Sequence, residues 1–155
     1  MRALAVATAA VGLALATSGA DAVEVTDCEN LGSPDAIIEP WEDNTRTFSN
    51  GKIRIAALDL IEPAAGAAWL MVLSPPYDEL GARQCRMIGF APGTGFAGIY
   101  FKEISADYDP AKGLTLNVPA QFYLPEEGFT NSILVRATIN QATGDIGIET
   151  ELGRE

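Results

Sequence analysis

Three runs between residues 114 and 149 place apolar side chains at every second position. Leu114, Leu116 and Val118 alternate with Thr115 and Asn117. Ile133, Val135, Ala137 and Ile139 alternate with Leu134, Arg136, Thr138 and Asn140, and Ile146 and Ile148 with Gly147 and Glu149. A period of two sends successive side chains to opposite faces of a strand. Half-buried strands of an antiparallel sheet are the structures that need such a pattern.

The segments between these runs read as turns. Asp109-Pro110-Ala111-Lys112-Gly113 and Pro125-Glu126-Glu127-Gly128 carry Pro early and Gly late, and Gln141-Ala142-Thr143-Gly144 joins the last two runs. Asn50-Gly51 separates Thr47-Phe48 from Lys52-Ile53-Arg54-Ile55, a short hairpin signal. Between 52 and 60 the apolar phase shifts from Ile53 and Ile55 to Leu58 and Leu60, which predicts a bulge near Ala56-Ala57. Residues 62–66 read as a turn and 67–74 as a buried strand that stops at Pro75-Pro76; the competing reading of 62–73 is a helix with Pro63 in its first turn. The sum is an all-β fold, an antiparallel meander of seven or eight strands forming a small barrel or a two-sheet sandwich.

Residues 1–22 have the make-up of a cleaved secretory signal peptide. Arg2 is a one-charge start, Ala3 to Ala16 is uncharged, and Ala20-Asp21-Ala22 is a small-x-small cleavage pattern. The apolar run is too short and too Ala-rich for a membrane span. No twin-Arg pair and no lipobox before Cys28 accompany it, so the expected route is general secretion out of the cytoplasm. Residues 23–45 read as an irregular acidic arm laid over the domain, and 46–155 as a single β domain. An oxidising destination predicts that Cys28 and Cys85 form one disulfide, tying that arm to the sheet.

Composition narrows the chemistry. With 21 acidic and 10 basic residues the net charge is -11, which excludes nucleic acid as an expected partner and disfavours anionic membranes. The sequence contains no histidine, so Ser-His and Cys-His nucleophiles and His-bearing metal sites are excluded. Ser-Lys catalysis finds no matching spacing either, because Lys52, Lys102 and Lys112 sit in alternating strands or turns. Neither a cofactor nor a catalytic residue is expected.

Three motifs each have a plainer reading. Gly93-Thr94-Gly95-Phe96-Ala97-Gly98 matches the dinucleotide-binding glycine pattern, but the strand-like Ile99-Tyr100-Phe101 follows where a helix is required, so a glycine-rich turn is preferred. Asp107-Tyr108-Asp109 begins like a calcium loop, yet Lys112 occupies the glycine position, and an Asp-Pro turn is preferred. The loop Ser74-Pro75-Pro76-Tyr77-Asp78-Glu79-Leu80-Gly81 is the best candidate for a functional surface. Its prolines stiffen the backbone, and Tyr77 beside Asp78 and Glu79 offers a surface for a partner. The aromatics Trp41, Trp69, Tyr100, Phe101, Phe122, Tyr123 and Phe129 read as core and rim.

The stretch from Thr47 to Gly98, above all Leu73-Ser74-Pro75-Pro76-Tyr77-Asp78-Glu79-Leu80-Gly81 with Arg83-Gln84-Cys85, and the segment Asn140-Gln141-Ala142-Thr143-Gly144 resemble small secreted proteins of alphaproteobacteria, a family without known activity. The resemblance implies bacterial origin and export, hence a periplasmic or extracellular destination, and carries no site. The expected function is a non-enzymatic exported domain that binds a protein or envelope component through loops such as Pro75, Pro76, Tyr77, Asp78 and Glu79. The alternatives are a small apolar-ligand carrier, with Leu114, Leu116, Ile133 and Val135 lining a barrel cavity, and a hydrolase using carboxylates such as Asp78, Glu79, Glu62, Glu103 and Asp107.

Overall fold

A computed structural model of the chain describes residues 22–28, 32–90 and 92–153. Of the expected signal peptide all but Ala22 lies outside them. The strands are β1 (Val23–Asp27), β2 (Thr45–Phe48), β3 (Ile53–Asp59), β4 (Ala68–Tyr77), β5 (Arg83–Phe90), β6 (Gly98–Ile99), β7 (Ser105–Asp109), β8 (Gly113–Leu124), β9 (Phe129–Ile139) and β10 (Ile146–Leu152). A single helical turn, α1 (Trp41–Asn44), precedes β2. The strands form two antiparallel sheets. The first runs β1-β5-β4-β3-β2. The second runs β10-β9-β8-β6, with β7 also paired to β8. The two sheets face each other as a sandwich and do not close into a barrel.

The alternation that marked the strands is what fills the interior. Leu114, Leu116, Val118 and Ala120 of β8 and Ile133, Val135, Ala137 and Ile139 of β9 are buried, facing Ile53, Ile55 and Ala57 of β3, Leu70 and Val72 of β4 and Ile88 of β5. Phe90 and Phe122 stack across the core with centroids 4.6 Å apart. Arg46, on the edge strand β2, bridges the sheets: it donates to the carbonyl of Ile104 at 2.6 Å and lies over the Phe101 ring.

The first sheet is covered on its other face as well. Ala56, Leu58, Trp69 and Met87 form a second buried cluster with Cys28, Ala36, Ile37 and Met71. The arm is held there by three links. Cys28 is bonded to Cys85, with Cα atoms 5.4 Å apart. Ile37 bridges to Leu58, and the N–H of Ile38 donates to the Ala57 carbonyl at 3.0 Å. The disulfide is as expected from sequence.

Three local expectations are corrected. Val23–Asp27 is a regular strand, paired with β5 from Val23–Phe90 to Asp27–Arg86, and not irregular arm. No bulge interrupts β3 at Ala56-Ala57, where pairing to β4 is regular from Arg54–Leu73 to Asp59–Ala68. Its unbroken apolar run arises because Ile55 and Ala57 face the sandwich core while Ala56 and Leu58 face the arm. The irregularity lies instead between Ser74 and Tyr77 of β4. Pro75 and Pro76 have no N–H to give the ladder, so the strand bulges there and continues to Tyr77 rather than stopping.

Candidate functional site

Four turns meet at one end of the sandwich. The β2–β3 hairpin turns through Ser49, Asn50 and Gly51, all at positive φ; there only Gly is free of side-chain strain. The β4–β5 turn is held by Asp78, whose Oδ1 accepts from the N–H groups of Leu80 at 2.9 Å and Ala82 at 2.8 Å. Asp109 braces the β7–β8 turn through the Ala111 N–H at 2.8 Å, confirming the Asp-Pro reading. Asn140 Oδ1 accepts from Ala142 and Thr143 in the β9–β10 turn.

Long side chains cross-brace these turns. The Arg83 guanidinium donates to the carbonyls of Lys52 at 2.9 Å and Gly51 at 3.0 Å while its Cζ lies 5.4 Å from the centre of the Tyr77 ring. Gln84 donates to the carbonyl of Gly144 at 2.6 Å and to the fully buried Ser74 hydroxyl at 3.0 Å. Gln141 reaches the Ser49 hydroxyl. Beside them opens a cleft of about 510 Å³ lined by Phe48, Ser49, Asn50, Lys52, Asp107, Tyr108, Leu114 and Gln141 among others.

The loop singled out from sequence belongs to this end, with its residues in unequal roles. Pro75 is buried and Pro76 and Tyr77 finish β4. Asp78 is consumed in shaping the turn, so it is a structural carboxylate. Glu79 is exposed and Leu80, at the tip, is 95% exposed. Tyr77 is 46% and Tyr108 63% exposed. Sequence reasoning named Tyr108 only within the calcium reading and missed Ser49, Asn50 and Gln141 as neighbours of the loop. No local signal marks them, because four turns from distant parts of the chain supply them.

The remaining nominated residues scatter. Glu62 lies in the β3–β4 connection at the opposite end from Asp78, Glu103 sits in the short 3-10 turn before β7, and Asp107 accepts from Asn117 at 3.0 Å. Leu114, Leu116, Ile133 and Val135 pack into the core the sheets share. The glycine motif is a close-packed connection: Thr94 bridges to Phe90 and Phe96 to Ala68 before β6. Among the described residues no group of three or more His, Cys, Asp or Glu side chains is arranged to hold a metal, and no helix is long and apolar enough to cross a membrane. Comparison with protein families, curated proteins and solved structures finds no match to this chain.

Proposed function

We propose that the chain is an exported, non-enzymatic β-sandwich that binds a protein or envelope component through its four-turn end. The observation that carries this reading is the exposure of Tyr77, Leu80 and Tyr108 on a set of turns fixed by Asp78, Arg83, Gln84 and Asn140. Tyr and Arg are the side chains on which interface energy concentrates. A pre-braced surface loses little entropy on binding. Export is supported by the leader from Arg2 to Ala22 and by the Cys28–Cys85 bond, which persists in oxidising compartments. Kinship with small secreted alphaproteobacterial proteins is part of the same reading.

The test is capture and cross-linking from bacterial envelope extract with the tagged domain, its Tyr77→Ala, Leu80→Asp and Tyr108→Ala variants, and Ile61→Ser at the far end as control. The expected result is a partner retained by the wild type and the Ile61→Ser variant and lost from the other three. Equal recovery by all of them would exclude the four-turn end as the binding surface.

A further inference from the structure

Five arginines lie among the described residues, and four are engaged. Arg46 donates to Ile104 and Phe101, Arg83 to Gly51 and Lys52, Arg86 pairs with Asp27, and Arg136 with Glu151 at 2.8 Å. Arg54 is exposed and has no ion-pair or hydrogen-bond partner among the described residues. It stands on the outer face of the first sheet, between its cross-strand neighbours Thr47 of β2 and Leu73 of β4.

The next row along that face is Thr45, Ala56 and Met71, and the row after it is closed by Ile37 of the arm over Leu58. Together these rows line a groove of about 430 Å³, within the size range of small-molecule sites. Its floor is Ala56, Met71 and Leu73, its apolar end wall is Ile37, and Thr45 and Thr47 line the β2 side. At about 3.3 Å per strand residue, the run from Arg54 to Leu58 spans about 13 Å. The disulfide at Cys28 fixes the start of the arm that forms the wall.

We propose that this groove is a binding site for a medium-chain aliphatic monocarboxylate, with the carboxylate on Arg54 and the chain lying toward Ile37. The guanidinium fork matches a carboxylate in two parallel hydrogen bonds, and the apolar floor gains from covering by methylenes. Arg46 also lines the groove, but its guanidinium is engaged by the carbonyls of Ile104 and Phe101, so among the described residues Arg54 is the one groove cation left to serve one negative charge. A phosphate dianion would be left under-neutralised on a chain whose net charge is -11. This site lies on a different face from the cleft beside Tyr108 and stands whether or not the four-turn end binds a partner.

Isothermal titration with decanoate and with decanol tests it, using the wild type, Arg54→Gln and Thr47→Glu. The last places a carboxylate across from Arg54 without touching the groove floor. Both substitutions are at exposed positions, and thermal melts will show whether each variant is folded. The expected result is saturable decanoate binding about tenfold tighter than decanol, as one charge-assisted contact provides. In either variant decanoate should fall to the decanol level while decanol is unchanged. Decanoate no tighter than decanol, or full decanoate affinity in both variants, would overturn the site.

Discussion

Trp69 lies on the outer face of the first sheet with its ring against the backbones of Gly89 and Gly95, where a Cβ at either glycine would collide with it. Gly147 in β10 has open space instead. Gly89→Ala is therefore expected to destabilise by about 1–3 kcal/mol through overpacking, while Gly147→Ala should be near neutral; urea midpoints for the two variants compare them directly. Val135, buried between the sheets, makes the opposite kind of test. Val135→Asp puts an unpaired charge in an apolar interior at a cost of several kcal/mol, against a total stability of about 5–15 kcal/mol. The variant should be recovered unfolded or not at all, read by loss of the cooperative thermal transition. The β8 and β9 core positions were legible in sequence because alternation encodes them. Gly95 was legible only as part of a turn-like cluster and Gly89 not at all, since the Trp69 ring they accommodate belongs to another strand.

Among elements, β3 and β1 show why local pattern reaches only so far. The period-two rule assumes one wet face, and β3 has none over Ala56 and Leu58, so a strand buried on both faces imitates a phase shift. Val23-Glu24-Val25-Thr26-Asp27 does alternate, yet its pairing partner β5 is remote, and nothing nearby distinguishes it from acidic coil. Of the site, the loop at Tyr77 was legible through its prolines and aromatic, whereas the cleft forms where the β2–β3 hairpin meets β7, β8 and Gln141, and the groove is made by pairings across β2, β3 and β4. The arm gives a prediction at this scale. Closing a loop over a sequence separation of 57 should stabilise by about 4 kcal/mol in the chain-entropy account. Cys28→Ser should lower the melting temperature and admit protease to residues 32–38 while β8 and β9 remain protected, as hydrogen exchange with limited proteolysis would show. A second tie is Arg46. Arg46→Ala removes its charge-assisted bonds to Ile104 and Phe101 and should cost about 1–3 kcal/mol, measured by chemical denaturation.

At the scale of the whole molecule, two sheets share one core and the only α-helix among the described residues is the single turn Trp41–Asn44. Far-ultraviolet circular dichroism of the domain lacking residues 1–22 should show a single β minimum without the double minimum of helix. Non-reducing mass spectrometry should find a monomeric mass with no free thiol, and a dimer split by reductant would contradict the internal bond. The placement of β1 also imposes an order of events. It is the first of the described strands to be synthesised, but its partner β5 is complete only at Phe90. The earliest strand must therefore wait unpaired while β2, β3, β4 and β5 are made, and Glu24 and Asp27 are charges of the kind that discourage an exposed strand from pairing elsewhere in the meantime. Cys28 stands opposite Cys85 one step beyond the Asp27–Arg86 pair, so the cystine is a covalent record that the chain has travelled back to its own beginning and finished the sheet.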